Sequence, residues 1–225
     1  MEMLIAVLRL VHIAAGTIAL LVAPVAIVTS KGGPTHRRWG KAYFWAMAAV
    51  ATTAVILALY RPVLFLALVA VFSFYNAFSG YRALFRKRPR EGQGATGWDW
   101  VAAALVVIAS GWLVAFGALR PGPTWERLGM VAVVFGVFGI VLGGRDLWRF
   151  RWPPADRQRW WFDHMSGMLG SYIATVTAFS VVNFSMLPEA VRWLWPTAIG
   201  VPLIIVWIAY YKARFRRRTP ARAPA

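Results

Sequence analysis

Three histidines, His12, His36 and His164, are the residues of this chain best suited to hold a metal or move a proton. There is no Cys, which excludes thiolate ligands, thiol catalysis and disulfides. No HExxH, GxSxG or P-loop occurs, so the familiar hydrolase and NTPase machinery is missing, and no catalytic residue can be named. His12 lies a third of the way along an apolar run that ends near Val28. Sixteen residues separate the two, about 24 Å at the helical rise. A three-histidine zinc centre is therefore not expected. His36, within His36-Arg37-Arg38-Trp39-Gly40 of a first basic loop, and His164 both flank basic segments and could meet at one membrane surface, near Asp99 or Asp163. Such a pair could ligate one b-type haem axially, or could bond to a carboxylate or the backbone.

A second pattern runs through the sixth apolar stretch. His164, Met168, Ser171 and Thr175 are spaced 4, 3 and 4 apart, which places them on one helical face, with Tyr172 beside it. Ser73, Asn76 and Gly80 share a face of the third stretch, and Asp99 opens the fourth. Polar groups at membrane depth mark interior faces and often function. The candidate ligand-binding set is His12, His36, Asn76, Asp99, His164, Met168, Ser171, Tyr172 and Thr175, around a polar pocket facing the cytoplasm. A small molecule, lipid or quinone is the expected ligand. The competing reading is that Ser, Thr and Asn only join helices. A buried His12 is expected to bond a neighbouring helix, with Gly16 letting that helix approach.

These residues need helices to position them, and the composition supplies helices that cross a bilayer. Hydrophobic residues make up 60% of the 225 and charged residues 15%, against roughly 45–50% and 25% in soluble domains. A crossing helix needs about 20 mostly apolar residues. Stretches at roughly 3–28, 42–60, 62–83, 98–119, 126–144, 164–185 and 193–211 qualify, with a tight turn at Tyr60-Arg61-Pro62. The first lacks a leading basic cluster and reads as a retained span. The fold class is all-α, an integral membrane bundle of seven helices. Residues 1–212 form one domain, and 213–225 a basic, flexible tail.

The charge of +17 follows the same alternation. Loops one, three and five and the tail hold four, five, five and six Lys/Arg, and the opposite side holds five. The positive-inside rule then puts the N-terminus outside and the C-terminus in the cytoplasm of a bacterial inner membrane. Basic residues spread over four segments do not form a nucleic-acid module. Interleaved Arg and Trp in 145–163 suit a surface of anionic lipids. Gly136, Gly139 and Gly143, and Gly16, Ala19 and Ala23, form small-residue seams for close helix packing.

Several stretches resemble an uncharacterised family of predicted bacterial membrane proteins, a domain of unknown function. They are His12-Ile13-Ala14-Ala15-Gly16, Lys31-Gly32-Gly33, His36-Arg37-Arg38-Trp39-Gly40-Lys41, Phe44-Trp45-Ala46-Met47, Gly80-Tyr81-Arg82 and His164-Met165-Ser166-Gly167-Met168, continuing through Ile173-Ala174-Thr175 to Thr177-Ala178-Phe179. The resemblance implies a compact multi-helix membrane protein and carries no activity to transfer. Three further readings compete with ligand binding. One is a redox protein with a single haem on His36 and His164. Another is a structural or assembly subunit with a membrane-protein partner or a second copy. The last is a transporter, against which no short span carries a mid-helix break.

Overall fold

The computed structural model describes residues 1–60 and 63–218. The expected turn at Arg61-Pro62 and the tail beyond Arg218 lie outside these residues. Seven long helices account for the fold, with no strand among the described residues: α1 (Glu2–Val28), α2 (Pro34–Tyr60), α3 (Leu64–Arg82), α4 (Gly97–Leu119), α5 (Pro123–Arg151), α6 (Arg159–Asn183) and α7 (Glu189–Arg218). All seven contain stretches long and apolar enough to cross a membrane. The chain is a multi-pass membrane protein.

The helices overrun the apolar stretches that predict them. α2 begins at Pro34, where Pro suits the first turn, so His36 sits in a helix rather than in a loop. α5 runs on to Arg151 and α6 starts at Arg159, which shortens the expected loop 145–163 to seven linking residues, 152–158. α7 continues to Arg218, into the segment expected to be a flexible tail. The cause is common to all three. Hydropathy stops where the hydrocarbon core stops, whereas backbone hydrogen bonding continues through the interface.

α3 and α6 pack on each other at the centre. The α1–α2 hairpin flanks them on one side and the α4–α5 hairpin on the other, with α7 against α6 and α5. Spaced apolar side chains such as Val101, Leu105, Ile108 and Trp112 of α4 stay exposed, as a lipid-facing stripe requires. Toward the N-terminal end of α3, Phe65 packs edge-on against Trp125 of α5 and Trp193 of α7, with ring centroids 5.8 and 5.3 Å away.

Glycine sets the closest helix contacts. A Cβ on Gly167 of α6 would lie 2.6 Å from Gly80 Cα and 2.7 Å from the Asn76 carbonyl of α3. The α4–α5 seam works as its small residues predict. A Cβ on Gly136 would come 2.7 Å from the Ser110 carbonyl, and one on Gly143 would come 3.1 Å from the Ala103 carbonyl. On α1 the seam is looser. Ala19 and Ala23 are buried, but a Cβ on Gly16 would meet only Val50, at 4.0 Å. Gly16 is thus not what seats His12.

Candidate functional site

The polar stripe of α6 is present, and it faces α2. Tyr43 Oη lies 2.7 Å from Ser171 Oγ and 3.4 Å from Thr175 Oγ1. Ser171 also donates to the Met168 carbonyl at 2.9 Å, and Thr175 to the Ser171 carbonyl at 3.1 Å. Tyr43 is buried and Ser171 is fully so. Met168 and Tyr172 pack on the apolar cluster around Ala19, Tyr43 and Met47. Ser171 and Thr175 therefore act chiefly as interhelical contacts. Bonds of this kind are worth about 0.6 kcal/mol on average in membrane proteins. Because Ser171 keeps its backbone acceptor, Tyr43→Phe should cost only about that much, read as a small drop in thermal stability in detergent.

Each histidine is held at Nδ1. His12 Nδ1 lies 2.9 Å from Thr53 Oγ1 and 3.2 Å from the Val50 carbonyl, both on α2, so it joins a neighbouring helix as expected. His36 Nδ1 donates to the Ala26 carbonyl and His164 Nδ1 to the Gly80 carbonyl, each at 2.9 Å. A carbonyl can only accept, so Nδ1 carries a proton in both rings. The two rings do meet, with centroids 6.2 Å apart and planes at 78°. Neither carboxylate suggested for them joins in. Asp99 is bound to Arg82, and Asp163 to Arg149 and Arg159. Neither ring lines the large cavity described next. No cluster of three or more His, Cys, Asp or Glu able to hold a metal occurs among the described residues.

Space for a ligand lies elsewhere. A cavity of about 1000 Å³ runs between α1, α2, α3, α5, α6 and α7. Its lining on α6 extends from Asp163 to Asn183, twenty residues or about 30 Å. Val50, Leu66, Phe72, Phe135, Ile173 and Val201 illustrate its mostly apolar wall. Of the expected site residues, His12, Asn76 and Thr175 line it, whereas His36, Asp99, His164, Met168, Ser171 and Tyr172 do not. Asn76 is buried and donates to the Phe72 carbonyl one turn back.

The cavity has two different ends. Arg9, His12 and Tyr60 stand at one, where Arg9 is exposed. Arg86, Arg145, Asp146 and Asp163 close the other, and a smaller cavity of about 60 Å³ beyond it shares Arg86, Asp146 and Asp163. Tyr75 donates to Asp146 Oδ2 at 2.8 Å. Asp99 takes two hydrogen bonds from Arg82, at 3.0 and 2.8 Å, and caps α4 through Thr96. Arg86 reaches the Ser79 carbonyl at 3.3 Å and stacks on Phe150 at 4.8 Å. Sequence reasoning passed over Tyr75 and Arg86. The available signal was Tyr75 preceding Asn76 on a helix with polar residues at depth.

Seven apolar helices, six of which border the elongated cavity, define a multi-span membrane protein. The family described as "Predicted membrane protein (DUF2306)" matches residues 9–144, and the chain belongs to it. His12, His36, Asn76 and Asp99 fall inside the matched segment, and the α6 residues lie beyond it. No curated protein and no solved structure matches the chain.

Proposed function

We propose that this protein binds a lipid-soluble small molecule, of the lipid or quinone class, within the membrane. The carrying observation is the cavity of about 1000 Å³ with apolar walls and polar ends. That volume is at the upper end of the usual ligand range of roughly 300–1,000 Å³. Its length of about 30 Å matches a hydrocarbon core roughly 30 Å thick, so a long apolar tail fits along it. The arginine-rich end faces the cytoplasm of a bacterial inner membrane, with the N-terminus outside. This orientation is supported by the Lys/Arg alternation across the loops. Lys87 over Trp160 and Arg151 over Trp152, at 4.7 and 4.4 Å, support contact with anionic headgroups at that surface.

Decyl-ubiquinone and dioleoyl phosphatidylglycerol, each added to purified protein, test the reading by thermal unfolding. A ligand present at 100 times its Kd should stabilise the fold by about 2.7 kcal/mol. Ala174 lines the cavity, so Ala174→Phe should fold and lose that stabilisation. Equal stabilisation of both proteins would place binding outside the cavity. Copurification of a stoichiometric protein partner with no lipid response would favour the assembly-subunit reading.

A further inference from the structure

We infer that the arginine-rich end of the cavity is an anion site, so that the ligand is a long-chain amphiphile with a compact acidic head, a carboxylate or a phosphate monoester. This rests on the cavity being a ligand site and goes further by naming the headgroup. Five guanidiniums, on Arg82, Arg86, Arg145, Arg149 and Arg159, gather around three carboxylates, on Asp99, Asp146 and Asp163. Lys87 and Asp156 at the rim of the smaller cavity add one charge of each sign and leave the excess unchanged.

The excess falls on two residues. Asp99 is engaged by the bidentate Arg82, and Asp163 is shared by Arg149 and Arg159 at 3.2 and 3.1 Å. Asp146 takes a short bond from Tyr75, and its contacts to Arg145 are long, at 3.3 and 3.4 Å. Good charge-assisted bonds are about 2.7–2.9 Å. Arg86 meets Asp99 only at 3.4 Å, and its Nη1 is buried with no hydrogen-bond acceptor. Its side chain is 12% exposed. A guanidinium removed from water without a full partner is costly, and an entering anion relieves that cost. The Ser79 carbonyl and the Phe150 ring hold Arg86 in place before any ligand arrives. Both Arg86 and Arg145 line the large cavity, so a head bound there leaves the tail in the apolar space.

The test compares three probes of one chain length, dodecyl phosphate, lauric acid and dodecanol. Protein in zwitterionic nanodiscs is titrated with each. One or both anions should bind at least about tenfold more tightly than the alcohol, since a hydrogen bond to a charged group is worth that much. Which anion leads distinguishes a phosphate head from a carboxylate. Arg86→Gln should remove most of the preference and leave dodecanol binding unchanged. Arg145→Gln, at a more exposed position, provides the second variant should the first not fold, and Arg86→Lys should retain part of the preference. Dodecanol binding as tightly as both anions would overturn the headgroup assignment while leaving the cavity reading intact. A preference unchanged in both Gln variants would do the same. Binding of none of the three would overturn both.

Discussion

Asp99→Ala should destabilise the protein by about 3–5 kcal/mol, the usual cost of removing one partner from a buried ion pair. The Asp99 carboxylate is 1% exposed. It accepts from Arg82 through both oxygens, and from the backbone and hydroxyl of Thr96 at 2.8 Å each. Its loss leaves two partly buried guanidiniums, on Arg82 and Arg86, without their carboxylate, and also undoes the capping box of α4. Thr96→Ala removes the side-chain cap and the hydroxyl's bonds to Arg82 and Asp99 but leaves the ion pair, and should cost about 1 kcal/mol. Thermal unfolding in one detergent measures both. If the two variants were equally stable, the ion pair would contribute nothing beyond the cap.

Gly167→Val should also be damaging, by a different route. Its Cβ would sit within 2.7 Å of three backbone atoms of α3, and backbone cannot rotate away as a side chain can. Overpacking typically costs about 1–3 kcal/mol, and a contact of backbone with backbone belongs at or above that range. The same separation of α3 from α6 would break the bond from His164 to the Gly80 carbonyl. Gly111 and Gly144 have open space around the corresponding position. Gly111→Ala and Gly144→Ala should leave folding intact, and helix propensity favours Ala. Fluorescence-detected size exclusion separates these cases. A monodisperse Gly167→Val protein with unchanged melting would refute the close α3–α6 crossing.

The number of spans was legible because each carries its own apolar run, and a run needs no knowledge of its neighbours. The helix ends were not, since Arg145 to Arg151 extend α5 through residues whose charge ended the hydropathy signal. The α6 stripe was legible by spacing, but its partner was not. Periodicity shows that Ser171 and Thr175 share a face, and only the fold shows that Tyr43 occupies it. The arginine-rich end was hidden for another reason. Counting Lys and Arg for topology treats every cation alike. Arg86 differs because a single 3₁₀ turn, Ala83–Phe85, follows α3 and brings it back toward Ser79 and Phe150.

The central α3–α6 contact also bears on the order of assembly. His164 and its acceptor Gly80 are 84 residues apart. At a synthesis rate of about 5–20 residues per second, α3 waits roughly 4–17 s in the bilayer before α6 emerges. The α1–α2 and α4–α5 hairpins face no such delay, because each helix is followed at once by its partner. What makes the wait tolerable is that polar side chains fold back on their own helices. Asn76 donates to the Phe72 carbonyl four residues earlier, and Ser171, Thr175 and Asn183 make the same kind of bond within α6. Each span can thus enter lipid with these donors already satisfied, and the glycine crossing closes only once α6 arrives.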